Sequence, residues 1–213
     1  MIISHQKKFI FIHNYKVAGT SIRHALEQYA NLSFKKSRIV DKWHLLTGNY
    51  PSIYSEQFPN HTTAASIKEI LPDSIFKSYF KFGFVRNPWD WQVSLYSYML
   101  KEEGHYQHNL AKSFHNFTEY LEWRVANEAR LQKNFFYDEK GNCLMDYIGK
   151  FENINEEMEA IGNRLGLNFN LQHLNKSREA DEIKDYYDQY TIELVNKAYQ
   201  EDIVTFGYKP PVI

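Results

Sequence analysis

The stretch FIFIHNYKVAGTSIRH, residues 9–24, constrains the fold more than any other part of the chain. Its first residues are apolar and suit a short buried strand, and Ile22, Ala25 and Leu26 then recur at helical spacing. A turn of small and hydroxyl-bearing residues joins the two patterns. A strand that passes through such a turn into a helix commonly forms a cradle for an anion, because backbone N–H groups and the helix dipole favour negative charge there.

The residues of this turn offer an anion three kinds of contact. Gly19 lets the backbone approach closely, Thr20 and Ser21 add hydroxyl groups, and Lys16 adds a positive charge. The magnesium-nucleotide signature GxxxxGK[ST] is absent from the stretch, because Lys16 precedes Gly19 by three residues instead of following it directly. The same letters also fit an ordinary strand-to-helix turn, so the loop does not establish a ligand site by itself.

A second anion-binding pattern lies in VRNPWDWQVSLY, residues 85–96. Val85 ends an apolar strand pattern, and Arg86 follows at its carboxyl end, the edge where open α/β sheets bind ligands. Ser94 lies eight residues further on, in a helix that begins near Pro88. The guanidinium and the hydroxyl can therefore converge on one phosphate. Since the two patterns follow separate strands, we expect their carboxyl ends to face the same crevice.

Strand and helix patterns alternate along the chain and predict an α/β fold, a parallel sheet with helices on both faces. We see no repeat and no boundary, so we predict a single domain over residues 1–213. A long irregular connection over residues 31–60 is more typical of function than of idle structure. The predicted strands cover residues 8–13, 79–85 and 146–151, and the predicted helices cover residues 20–29, 64–71, 88–100, 114–131, 155–165, 181–189 and 190–204.

Composition excludes several classes of protein. A chain of 213 residues with net charge −1 lacks the basic excess typical of proteins that bind nucleic acid. One cysteine, Cys143, excludes an internal disulfide framework and a multi-cysteine metal site, and we interpret it as a small residue in a loop-to-helix segment. The apolar run near the N-terminus is too short to span a membrane, so we expect a cytoplasmic protein or a trimmed soluble domain.

The two patterns together resemble the sulfotransferase family. KVAGTS is similar to that family's 5′-phosphosulfate loop, and RNPWDWQVS is similar to its 3′-phosphate motif. The likeness continues through DYIGKFENINEEM, LGLNFNLQHLNKSR and YYDQYTIELVNKAYQEDIVTFGY, in the order and spacing of the carbohydrate branch, which includes the Golgi glycan sulfotransferases. It covers nearly the whole chain and is weakest over residues 31–60.

The resemblance implies a P-loop-like three-layer fold, with a central parallel sheet flanked by helices. It implies metal-independent transfer of a sulfuryl group from 3′-phosphoadenosine 5′-phosphosulfate (PAPS) to a hydroxyl of a carbohydrate or glycosylated small molecule. Adenosine 3′,5′-bisphosphate would be the product, and the oligomeric state stays open. The residues that the resemblance places at the donor are Lys16, Ala18, Gly19, Thr20, Ser21, Arg86, Ser94, Lys176 and Ser177.

Within that set, Lys16 would stand near the bridging oxygen of the phosphosulfate and also act in catalysis. Lys176 and Ser177 would approach the nucleotide, although a solvated polar turn explains them nearly as well. The chain departs from the family pattern PKTGGTS at Tyr15, Val17 and Ala18, and Val17 removes one hydroxyl contact while leaving the backbone cradle intact.

Transfer to a hydroxyl also requires a base for the acceptor's proton. His61 precedes a capped helix and stands about where the resembling glycan enzymes have their general base, so we predict that role for it. His44 and the carboxylate of Glu56 are alternatives, and His13 is expected to orient the loop. Trp91 stands where the family commonly has an arginine, so it serves either packing or the acceptor.

Two other functions stay open at this point. A P-loop kinase or NTPase is disfavoured by the missing GK[ST] and by the lack of an apolar run ending in a Walker-B aspartate. A non-catalytic relative would keep the nucleotide cradle without the chemistry, and His61 and Lys16 are the residues that speak against it.

Overall fold

A mostly parallel sheet organises the chain in the computed structural model, which describes residues 1–29, 61–168 and 183–213. The strands in these ranges are β1 Ile2–Ser4, β2 Phe9–Ile12, β3 Phe80–Val85 and β4 Tyr147–Lys150. They lie in the order β1-β2-β3-β4, and β2, β3 and β4 are parallel. The sequence prediction of an α/β fold with a central sheet is confirmed, and the three predicted strands are present with ends that differ by at most one residue.

The edge strand β1 corrects the expectation of a purely parallel sheet. It pairs antiparallel with β2, with Ile3 opposite Ile10. Only four residues separate the two strands, and Lys8, the last of them, has a left-handed φ of 54°. A connection this short can join only antiparallel neighbours, because a parallel crossover requires a dozen or more residues.

Most of the helices occur at the places in the sequence where the hydrophobic periodicity predicts them. Two helix ends have caps of the usual kind: Thr63 accepts from the Ser66 N–H at 3.2 Å, and Gly166 ends a helix with a left-handed φ of 61°. In the described ranges the helices are α1 Gly19–Glu27, α2 Ala64–Ile70, α3 Asp73–Ser78, α4 Pro88–Lys101, α5 His108–Ser113, α6 Phe117–Glu128, α7 Ile154–Leu165, α8 Gln189–Ala198 and α9 Gln200–Phe206.

Several helix predictions need correction. The sequence did not predict α3 or α5, and the amphipathic stretch expected over residues 114–131 forms only the shorter helix α6. The helix expected over residues 190–204 is interrupted at Tyr199, which separates α8 from α9. The helix expected over residues 181–189 falls partly outside the described residues. Among the helices described, none combines the length and apolarity needed to cross a bilayer.

Contacts divide the chain into two compact units, each built from two separate stretches. The first unit contains Met1–Val85 and Asn134–Asn175, and the second contains Arg86–Lys133 and Lys176–Ile213. The sheet, α1 and α7 belong to the first unit, whereas α4, α8 and α9 belong to the second. The single domain over residues 1–213 stays a prediction.

The core of the first unit lies on both faces of the sheet, because alternate residues of a strand point to opposite sides. On one face the phenylalanines of β2 and β3 pack with α1 and α7; the cluster includes Phe9, Phe11, Phe82, Phe84, Ile22, Leu26, Met158 and Ile161. On the other face Lys81 lies 5.2 Å from the centre of the Phe76 ring of α3 and forms an ion pair with Asp146 at 2.6 Å. Helices therefore flank the sheet on both sides, as predicted.

The second unit is helical, and its interior is aromatic. Trp91 is fully buried on α4, and its ring meets Tyr199 edge to face at a centroid distance of 6.1 Å. Tyr96 of the same helix stacks on Tyr120 of α6 at 4.7 Å. Of the two roles that the sequence left open for Trp91, the structure shows packing.

Candidate functional site

The loop between β2 and α1 has a tight, strained backbone. Lys16 has a φ of 61° and Ala18 a φ of 57°, both in the left-handed region that residues with a Cβ rarely adopt. Val17, between them, is completely buried in the core below the sheet, which anchors the loop. Left-handed residues next to a helix start form a concave arrangement of backbone N–H groups that suits an anion. Strain of this kind is typical of binding loops.

Gly19 begins α1 under the ring of His13. A Cβ built on Gly19 would lie only 1.5 Å from the Nε2 atom of His13, so any side chain at this position would displace the ring. The ring of His13 therefore packs directly against the start of α1. Its Nδ1 atom is buried and has no hydrogen-bond partner among the described residues. Burial, and to a smaller extent the neighbouring His61, lowers the pKa of His13 to about 3, so the ring is neutral at pH 7.

His61 lies beside this loop in the same unit. Its Nδ1 atom is 3.1 Å from the backbone oxygen of His13, and the two rings are 4.6 Å apart. Since a carbonyl oxygen can only accept, Nδ1 carries the hydrogen, and in the neutral ring the lone pair is on Nε2. Desolvation lowers the pKa of His61, and the hydrogen bond to the His13 carbonyl partly opposes that shift. The structure thus holds His61 in a tautomer with a basic Nε2 atom.

The second unit contains the predicted arginine and serine in contact with each other. The Arg86 side chain is 7% exposed, and its Nη1 atom donates to the Ser94 hydroxyl at 3.0 Å. Its Nε atom donates to Asp90 Oδ2 at 2.6 Å. Asn87 caps α4 by accepting from the N–H groups of Trp89 and Asp90. Asp90 and Ser94 lie one turn apart on this helix.

Sequence reasoning missed two residues of this cluster. Asp90 was recognisable, because it follows Arg86 by only four residues, in the first turn of the predicted helix, where its carboxylate can reach the guanidinium. Gln132 was not: its side-chain amide binds the main chain of Arg86 across 46 residues of sequence, and no local pattern indicates such a contact.

The remaining predicted site residues fall into two groups. Thr20 and Ser21 lie in the first turn of α1, with Thr20 exposed and Ser21 half-buried. Lys176, Ser177, His44 and Glu56 lie outside the described residues, so their roles stay predictions. Within residues 1–29, 61–168 and 183–213, the structure shows no group of three or more histidine, cysteine or acidic side chains that could hold a metal ion.

These features define a class of protein. A parallel sheet flanked by helices, with a small-residue loop between a strand and a helix, is the architecture of P-loop-like α/β proteins that bind anionic ligands. A family model described as the sulfotransferase family matches residues 1–209. The chain belongs to the sulfotransferase family, and it is an enzyme of sulfuryl transfer. No curated protein and no solved structure matches it.

Family membership explains the loop's geometry. In the family pattern PKTGGTS a glycine stands at the position of Ala18, whose φ of 57° is the conformation that glycine adopts without steric cost. The chain keeps this backbone with alanine, at a cost of about 1–2 kcal/mol.

We therefore expect Ala18→Gly to raise the free energy of unfolding by about 1 kcal/mol, because glycine has no Cβ and adopts the left-handed conformation without steric strain. Urea unfolding of the purified protein measures the change. The matched control is Ala25→Gly in the helical interior of α1, which should lower the free energy of unfolding by about 1 kcal/mol. Equal destabilisation by both substitutions would contradict the strained conformation of Ala18.

The low pKa of His13 predicts a pH dependence of stability. Below pH 6.5 the unfolded chain binds a proton at this histidine, whereas the folded chain does not until about pH 3, so stability falls as the pH falls between these values. Between pH 6.5 and pH 5 this histidine accounts for a loss of about 2 kcal/mol. We expect His13→Phe to lose correspondingly less stability over that interval in urea titrations. In contrast, His24→Phe, at a position where the side chain is 74% exposed, should follow the wild-type curve.

Proposed function

We propose that the chain uses PAPS as its donor and transfers the sulfuryl group to a hydroxyl of a carbohydrate or glycosylated small molecule. The observation that carries the proposal is the buried contact between Arg86 and Ser94, at the two positions that the family resemblance assigns to the 3′-phosphate. Adenosine 3′,5′-bisphosphate is the product in this proposal. The carbohydrate acceptor, independence from metal ions and a cytoplasmic location are parts of the proposal that rest on the sequence resemblance or composition.

Arg86 and Ser94 have complementary capacities for a phosphate. The Ser94 hydroxyl already accepts from Arg86, so its own hydrogen can be donated to a third group. The guanidinium is permanently charged and planar, and such groups recognise phosphate oxygens in a forked arrangement. Asp90 holds the guanidinium in place through Nε. Both donors are therefore oriented before the ligand arrives, which lowers the entropic cost of binding.

The loop from Lys16 to Ser21 is proposed to hold the 5′-phosphosulfate. Its left-handed residues and the start of α1 provide backbone N–H groups and the positive end of a helix dipole. Lys16 supplies the charge that stabilises the bridging oxygen when negative charge develops there. Lys176 and Ser177 stay proposed contacts of the nucleotide.

His61 is proposed to accept the proton of the acceptor hydroxyl. Its hydrogen on Nδ1 is directed to the His13 carbonyl, and Nε2 carries the lone pair that a base requires. Because its pKa is below the ordinary value of 6.5, the ring is neutral at pH 7 and can take up the proton. Because the neighbouring ring of His13 is neutral, it adds no positive charge beside His61.

The donor assignment predicts how the protein responds to nucleotides. Adenosine 3′,5′-bisphosphate should raise the melting temperature without magnesium, because a ligand that binds only the folded state stabilises it by mass action. Arg86→Ala should weaken bisphosphate binding by about 2–5 kcal/mol. Calorimetric titration and thermal-shift measurements check both expectations.

Arg124→Ala is the matched control, because Arg124 is also a buried arginine in the second unit and pairs with an acid four residues along its helix. It should lower stability and leave bisphosphate affinity unchanged. Stabilisation by ATP with magnesium and not by the bisphosphate would instead support a kinase or NTPase.

The catalytic assignments predict different losses for His61 and Lys16. His61→Ala should reduce turnover by about 10²–10⁴-fold, the usual worth of a positioned base, with bisphosphate affinity nearly intact. Lys16→Ala should reduce both turnover and bisphosphate affinity, because in this proposal the lysine contacts the donor in the ground state as well. Transfer of labelled sulfate to a responsive acceptor measures turnover.

The pH profile adds an independent check on the base. Since the base must be neutral, kcat/KM should fall as the pH drops through the lowered pKa of His61, giving an acid limb below pH 6.5. This limb should disappear in His61→Ala and persist in His115→Ala, a control at an exposed histidine. Full turnover of His61→Ala would move the base to another residue, His44 first.

A further inference from the structure

We propose that Gln132 is a positioning residue for the donor site: it fixes the main chain of Arg86, and Asp202 in turn fixes Gln132. The role presupposes the proposed function, because Arg86 is the arginine assigned there to the 3′-phosphate. Arg86, Gln132 and Asp202 all belong to the second unit.

The side-chain amide of Gln132 makes two hydrogen bonds to the main chain of Arg86. Its Oε1 atom accepts from the Arg86 N–H at 2.9 Å, and its Nε2 atom donates to the Arg86 carbonyl at 2.7 Å. A side-chain amide presents an acceptor and a donor in one plane, as a peptide group does. Gln132 therefore pairs with Arg86 as a neighbouring strand would, at the residue that directly follows the end of β3.

The hydrogen bonds between Gln132 and Arg86 lie in the buried interior, where polar groups have no water to bind. Gln132 is fully buried, and Arg86 is 6% exposed. A buried main-chain N–H or carbonyl without a partner is costly, so the amide favours one conformation of Arg86 over others. The direction of the arginine side chain follows from that main-chain conformation.

Asp202 holds Gln132 from the other side. Its two carboxylate oxygens accept from the N–H groups of Gln132 and Lys133, each at 2.8 Å. Asp202 is fully buried on α9, and 70 residues of sequence separate it from Gln132. The carboxylate thus secures the main chain of the residue whose side chain secures Arg86.

The arginine is in this way restrained at both ends. Gln132 fixes its main chain, while Asp90 and Ser94 bind its guanidinium. Binding groups act only when they are held close to the productive geometry, and a displacement of about 1 Å can be expensive. Loss of the amide should therefore weaken the contact between Arg86 and the 3′-phosphate while the guanidinium itself remains present.

The test is Gln132→Met, which keeps the length of the side chain and removes both hydrogen bonds. Its control is Gln107→Met, because Gln107 is also buried in the second unit, and its amide binds Glu128 instead of Arg86. Calorimetric titrations with adenosine 3′,5′-bisphosphate and with adenosine 5′-monophosphate, which lacks the 3′-phosphate, measure the two affinities at a temperature where thermal melts show each variant folded.

We expect Gln132→Met to lower bisphosphate affinity by about tenfold or more and to leave monophosphate affinity unchanged. In an Arg86→Ala background the same substitution should cause no further loss. Gln107→Met should keep the wild-type preference for the bisphosphate, whatever its effect on the melting temperature. If Gln132→Met does not fold, Gln132→Glu replaces it, since a carboxylate accepts from the Arg86 N–H and cannot donate to the Arg86 carbonyl. The preference for the bisphosphate over the monophosphate should fall in Gln132→Glu as well.

Retention of the full preference by a folded Gln132 variant overturns the positioning role. An equal loss of affinity for both nucleotides also overturns it, because that is the result of a general structural defect. If the wild-type protein itself shows no preference for the bisphosphate, the assignment of Arg86 to a 3′-phosphate fails, and the role of Gln132 fails with it. The first two results leave the donor assignment intact, so the failures are distinguishable.

Discussion

A buried positive charge, the guanidinium of Arg86, is the constraint on which the second unit depends. Moving such a group out of water costs several kcal/mol, and the cost is met only when charge and hydrogen bonds are supplied nearby. Asp90 supplies the charge and Ser94 an acceptor, both from α4. Gln132, which Asp202 holds in turn, binds the main chain of Arg86 from a distant part of the sequence. The guanidinium is therefore held in one orientation by groups of the folded chain.

In the first unit, the loop between β2 and α1 combines a strained backbone with neutral, buried side chains. Lys16 and Ala18 are left-handed, and the ring of His13 packs so closely on Gly19 that a side chain cannot fit between them. Burial keeps His13 uncharged, so the start of α1 carries the partial positive charge of its backbone N–H groups without an added charge from this ring. Desolvation also lowers the pKa of His61, whose Nδ1 hydrogen is directed to the His13 carbonyl and whose lone pair is on Nε2.

Much of the fold was predictable because it is encoded over short distances. The strands β2, β3 and β4 follow from apolar runs, and α2 and α7 follow from a threonine cap and a terminal glycine. The edge strand β1 was missed, since three residues are too few to show a period. The interruption at Tyr199 was missed because helical periodicity continues across it. Burial of Trp91 against Tyr199 depends on residues 108 positions apart, which no local pattern reports.

By itself the sequence determined the alternation of strands and helices, the two anion-binding patterns and the family, because each is written within a few consecutive residues. Only the tertiary structure decided the tautomer of His61, through a carbonyl 48 residues away, and the main-chain partner of Arg86, which is Gln132 held by Asp202. The physical reason is that a buried polar group must find a hydrogen-bond partner wherever the folded chain brings one. Such partners are a matter of spatial proximity, which sequence spacing does not specify.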